Sequence, residues 1–104
     1  MIRKGLTMKV YEDMHEEYEK RHREIWPEMV EELKRHGAHN YSIFLDKETS
    51  TLFGYLEIED EEKWSKMPAT EINQKWWEYM EPVMETNPDN SPISKELIEV
   101  FHMD

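Results

Sequence analysis

The chain contains no cysteine, which removes disulfides, thiolate metal sites and a cysteine nucleophile together. Its three glycines, Gly5, Gly37 and Gly54, are too scattered to cradle a phosphate, and no Walker-type motif or Ser-His-Asp order is present. Long apolar runs are missing too. No segment approaches the roughly 20 apolar residues needed to span a bilayer. Met1 to Val10 alternates polar and apolar residues where a signal peptide would hold an unbroken apolar stretch. Basic residues are in deficit: 13 Lys and Arg stand against 24 Asp and Glu, and protonating all five histidines would only move the formal charge from −11 to −6. Such a surface repels phosphate backbones and anionic membranes, so neither nucleic acid nor a membrane is expected as a partner. A neutral small molecule suits it better. The expectation is a soluble, cytoplasmic protein.

What is present is one domain's worth of chain, residues 1–104. Hydrophobic residues make up 38% and charged residues 36%, which is a thin core for this length. A thin core with twelve aromatic residues (four Trp, five Tyr, three Phe) invites burial against another copy, so a homodimer is the default expectation.

Ile2, Leu6, Met8 and Val10 alternate with Arg3, Thr7 and Lys9 as a strand does. Asp13 and Glu16 then resemble a capping box. Met14, Tyr18, His22, Ile25, Met29 and Leu33 recur at spacings of three and four, one face of a helix ending at Gly37. Pro27 predicts a kink or break just past His22, opening space beside that side chain. Tyr41, Ile43 and Leu45 alternate into a second strand, and a turn at Lys47 to Ser50 pairs it with a third over Leu52 to Ile58. Asp60 is placed to cap a short acidic helix, and Thr70 the next, with Ile72, Trp76, Met80 and Val83 as its buried stripe. Asn87 to Pro92 is all turn formers, and Leu97 to Met103 has the apolar content of a last strand. The order strand, helix, strand, strand, helix, strand folds most simply as an α+β ferredoxin-like sandwich. One antiparallel sheet carries the helices on one face, and two bare sheet faces pack into a dimeric barrel.

Trp76 and Trp77 are adjacent on the last helix, so their rings point about 100° apart. One can lie in the core while the other turns to a flank. That flank suits either the apolar face of a sugar ring or an aromatic seam against a second chain. Tyr18 and His22 lie one turn apart, and an imidazole beside a phenol can move protons at neutral pH. The plainer alternative is a hydrogen-bonded core histidine. Tyr41 begins the strand that returns from that helix, either opposite Tyr18 and His22 or as a surface tyrosine. His36 and His39 lack the third convergent donor that a metal needs, and His36 is better read as a helix cap. His15 and His102 are expected to face solvent. The paired carboxylates follow from composition and read as solvated helix faces.

Taken together, YEKRHREIWPE (18–28), HGAHNYSIFLD (36–46), QKWWEYM (74–80) and NPDNSP (87–92) resemble the L-rhamnose mutarotase family across essentially the whole chain. The resemblance implies a cytoplasmic homodimer with a dimeric α+β barrel fold. It also implies interconversion of the α and β anomers of L-rhamnose ahead of rhamnose catabolism, with no metal or cofactor. It matches the proton donor to His22 and the sugar contacts to Tyr18, Tyr41, Trp76 and Trp77. The general base stays unassigned. The same fold also serves dimeric barrels that bind haem or oxidise aromatic compounds, and a silent sugar-binding module is a third reading. A Soret band or an oxygen requirement would mark the former, and binding without faster exchange the latter.

Overall fold

The computed structural model describes all 104 residues. Its elements are β1 (Ile2–Lys9), α1 (His15–Arg23), α2 (Pro27–Arg35), β2 (Ala38–Asp46), β3 (Thr51–Ile58), α3 (Glu61–Ser65), α4 (Glu71–Met80) and β4 (Ser94–Leu97). Short 3-10 turns precede α1 and flank α4. The sheet order is β2-β3-β1-β4 with every neighbouring pair antiparallel, the ferredoxin-like arrangement.

Alternation along the strands decides which face is filled. Leu6 pairs with Gly54 and Met8 with Leu52, and these positions turn toward the helices together with Leu56 and Ile58. Leu52, Leu56 and Ile58 are fully buried, each contributing about 1.5–3 kcal/mol relative to exposure. Gly54 is a close approach: a Cβ there would stand 3.3 Å from Leu6 Cγ, so the glycine lets Leu6 lie across β3. Gly37 has a φ of +87°, ends α2 and turns the chain into β2, where its carbonyl accepts from the Glu59 N–H at 3.1 Å.

The opposite sheet face is bare. Phe44 pairs with Phe53 across β2 and β3, and Leu97 leans over Gly5 on β4.

Pro27 breaks the first helical region outright. It sits at the first position of α2, where its missing N–H costs nothing, and Trp26 is the residue before it. Asp60 caps α3 as expected, accepting from the Lys63 N–H at 2.7 Å. Three expectations are corrected. The Asp13/Glu16 capping box does not form, because Asp13 is taken into a 3-10 turn and α1 starts from Met14 without a side-chain cap. Thr70 occupies the cap position of α4, but its hydroxyl donates back to the Met67 carbonyl at 2.8 Å. The last strand is Ser94–Leu97, paired with Gly5–Met8, and not 97–103. Ile98, Val100, Phe101 and Met103 lie exposed beyond it, because no strand of this chain takes their backbone groups.

Candidate active site

Helix α1 delivers the first two groups. Tyr18 and His22 are stacked one turn apart, ring centroids 4.3 Å apart and tilted by 30°. His22 Nδ1 lies 3.1 Å from the Tyr18 carbonyl oxygen. A carbonyl only accepts, so Nδ1 carries the hydrogen and Nε2 is left as the working atom of the ring. Burial pushes the His22 pKa below its ordinary value, partly opposed by that backbone bond. The break at Pro27 ends α1 directly after His22, and no following turn of that helix covers the imidazole.

A β-bulge aims the third group. His39 pairs with Glu57 and Ser42 with Tyr55, so Asn40 and Tyr41 stand opposite Leu56 alone. Asn40 takes a φ of 50°, and its amide donates to a Glu57 carboxylate oxygen at 3.0 Å. The extra residue reverses the alternation, and Tyr41 turns toward the helices. Tyr41 is 39% exposed at the sheet edge, and desolvation by the surrounding chain raises its pKa. Burial raises the Tyr18 pKa as well, with a smaller push from the neighbouring Tyr41 phenol. Both phenols are therefore neutral, each able to donate one hydrogen bond and accept others.

Helix α4 supplies the tryptophans. Trp76 is buried and meets His22 edge-on, centroids 5.4 Å apart at 89°. Trp26 holds it from behind at 5.1 Å and 86°. Trp76 thus fixes the imidazole as much as it lines the cleft. Trp77 is half-buried and turned to the flank. The five expected residues, Tyr18, His22, Tyr41, Trp76 and Trp77, all line one cleft between the sheet and the helices. Glu12, Asp13, Glu16 and Glu19 line it as well, with Arg23, Lys34 and Lys47 among its basic lining residues.

Two residues went unnoticed in the sequence. Trp26 joins Trp76 and Tyr79 in an aromatic cluster, with Arg21 stacked 4.3 Å over the Tyr79 ring. Asn73 lies on the cleft wall, 5% exposed, and its Nδ2 has no hydrogen-bond partner. The spacing 73, 76, 80, 83 would have found it as a polar residue on an apolar stripe.

Of the remaining histidines, His15 and His39 border the same cleft with their rings engaged by other partners, and His36 and His102 lie outside it. His36 closes α2 with Nδ1 donating to the Glu32 carbonyl at 3.0 Å, as expected of a cap. His39 pairs with Glu59 at 2.8 Å and His102 with Asp104 at 2.9 Å. His15 is half-buried and bonded to the Ser50 hydroxyl at 2.8 Å, so it does not simply face solvent.

The family model described as L-rhamnose mutarotase matches residues 3–103. A protein of that name from Oceanobacillus iheyensis is 74% identical over 104 residues, covering 100% of both chains. A crystal structure of L-rhamnose mutarotase from Formosa agariphila has a TM-score of 0.93 at 39% identity, again over 100% of both chains. A dimeric ferredoxin-like protein from an uncultured marine organism has a TM-score of 0.70 over 98% of this chain and 97% of that one; at 16% identity the likeness is of fold alone.

Proposed function

The chain belongs to the L-rhamnose mutarotase family, and on that premise we propose that its cleft interconverts the α and β anomers of L-rhamnose, with His22 moving the proton at the ring oxygen. One observation carries the assignment. His22 is anchored through Nδ1 on the Tyr18 carbonyl, and its other nitrogen shares a cleft with two neutral phenols and a tryptophan flank.

Anomer exchange breaks the bond between C1 and the ring oxygen while the anomeric hydroxyl becomes a carbonyl. The ring oxygen must gain a proton and the anomeric hydroxyl must lose one. Imidazolium Nε2–H donates to the ring oxygen as the bond breaks. The anomeric proton passes to water at the open mouth of the cleft. Rotation about C1–C2 presents the other carbonyl face, and closure runs both transfers backwards, with neutral Nε2 taking its proton back. A pKa below the ordinary value makes the imidazolium a stronger acid toward a weakly basic oxygen, at the expense of its population at neutral pH. Tyr18 and Tyr41 hold hydroxyl groups, and Trp77 offers an apolar wall to the ring face and the C6 methyl.

The same reading takes the protein as a cytoplasmic homodimer. The bare apolar sheet face and the exposed residues after β4 support a second copy as its cover, and the marine neighbour of this fold is described as dimeric.

Saturation-transfer NMR on equilibrated L-rhamnose tests the assignment. Wild-type protein should accelerate exchange without added metal or cofactor, with D-glucose and L-fucose as controls. His22→Ala should lose roughly 10²-fold or more in exchange rate while still binding the sugar. Wild-type turnover in that variant removes His22 from the chemistry.

A further inference from the structure

We infer that Arg21 is a positioning residue for His22, its guanidinium clamping α1 to the last turn of α4 and so keeping Trp76 against the imidazole. The inference rests on the catalytic reading of His22 above and deepens it. The Arg21 side chain is held at three points. Its Nε donates to Glu17 Oε2 at 2.7 Å, its Nη1 donates to the Tyr79 carbonyl, and its Cζ stands 4.3 Å from the centre of the Tyr79 ring. Only 19% of the side chain is exposed, and its hydrogen bond holds the Glu17 carboxyl below the ordinary range, so the pair stays ionised. A flat guanidinium stacks on a ring while its edge bonds two acceptors, which an ammonium does not. Tyr79 lies in the last turn of α4, where carbonyls lack intrahelical partners and a cation is favoured.

From Tyr79 the packing leads back to α1. The Tyr79 ring lies 5.6 Å from Trp76 and 5.3 Å from Trp26, Trp26 meets Trp76 edge-on at 5.1 Å, and Trp76 meets His22 edge-on at 5.4 Å. The path leaves α1 at residue 21 and returns to it at residue 22. His22 needs that support. Its Nδ1 bond to the Tyr18 carbonyl fixes one nitrogen, and the rings of Tyr18 and Trp76 limit how far the imidazole swings about that contact. Because α1 ends at Arg23, no later turn of that helix braces it. Releasing the clamp lets Trp76 withdraw and Nε2 lose its aim, and a misplacement of about 1 Å at a reacting group costs on the order of 10²-fold in rate. Arg21, Tyr79 and Trp26 are all absent from the lining of the cleft, so the loss falls on the proton transfer and not on sugar contacts.

The test compares wild type with Arg21→Met, which keeps an unbranched stem and removes the charged flat head. NMR exchange gives kcat and KM for L-rhamnose. Proton–carbon spectra give the Cε1–H and Cδ2–H signals of His22, assigned by their absence in His22→Gln. Arg21→Met should lower kcat about tenfold, change KM less than about threefold, and move the His22 signals. Tyr79→Leu should reproduce both effects, and Tyr79→Phe, which keeps the ring under the guanidinium, should recover most of the loss. Combining Arg21→Met with Tyr79→Leu should cost no more than the worse single change, because both act along one path. Arg35→Met, at an arginine paired with Glu32 on α2, controls for the loss of a surface cation. A kcat for Arg21→Met within about twofold of wild type overturns the inference. So does a loss of kcat with unmoved His22 signals, a rise in KM as large as the fall in kcat, or a fully additive double variant. If Arg21→Met does not fold, Arg21→Lys is read in the same way. Wild type that leaves L-rhamnose exchange at its spontaneous rate overturns the functional reading alone, and the His22 signals of the variants still decide whether Arg21 positions the ring.

Discussion

His22 couples the chemistry of the cleft to the stability of the fold. Burial lowers its pKa in the folded chain below the ordinary 6.5. Between those two values the unfolded chain binds a proton that the folded chain refuses, so stability rises with pH there. The contribution is whole above about pH 6.5 and is lost as the pH falls toward the lower folded value. Glu59 acts in a different window: Lys63 and His39 hold its carboxyl down to about 2, so its effect fades only in stronger acid. A His22→Gln variant should therefore show a flatter dependence of Tm on pH as the pH falls below about 6.5, measured by calorimetry beside wild type. An unchanged slope would mean the imidazole is not shielded. At this scale the sequence was informative where geometry is local. Tyr18 and His22 share a helix face, and adjacent tryptophans divide into one buried and one flank ring. Asn73 escaped notice because Ile72, Trp76, Met80 and Val83 complete the stripe without it, and a stripe read for apolar residues passes over an amide.

The element that decides the site's shape is the bulge in β2. Asn40 adopts a left-handed φ of 50°, which a β-branched residue takes at a cost of about 1–3 kcal/mol. Asn40→Val should lower stability by about that amount and raise KM by misdirecting Tyr41, while Asn40→Gly should leave both near wild type. Denaturant melts and NMR kinetics on the two variants check this; equal KM values would detach Tyr41's direction from the bulge. The alternation of residues 40–46 named the strand and left open whether Tyr41 meets Tyr18 and His22 or the surface. It could not show that an inserted residue at position 40 turns Tyr41 toward the helices, because register is set by the partner strand. The caps failed for a related reason. Asp13 and Thr70 have the right chemistry at the right spacing, but 3-10 turns beside them captured the carboxylate's residue and redirected the hydroxyl. Apolar content at 97–103 marked residues that want cover, not residues that pair.

On the scale of the molecule, the sheet has one finished face. The other carries Phe44 at 67% exposure, paired with Phe53, and the tail after β4 leaves Val100 at 93%. Burial of these surfaces in a second copy makes stability depend on protein concentration. Light scattering should find wild type as a dimer whose Tm rises with concentration. Phe53→Asp should shift it toward monomer and remove that dependence, and a wild-type monomer at all concentrations would refute the proposed assembly. The four-strand order was legible as a whole because connection lengths and alternation leave few alternatives.

The cleft draws Tyr18 and His22 from α1, Tyr41 from β2 and Trp76 and Trp77 from α4, all within one polypeptide. The proposed association on the far side of the sheet would therefore complete the hydrophobic cover without lending these groups to a neighbour. In the proposed dimer each copy would then carry its own set of these five side chains. A dead subunit would silence only itself, and in a mixed population turnover would scale linearly with the fraction of intact chains.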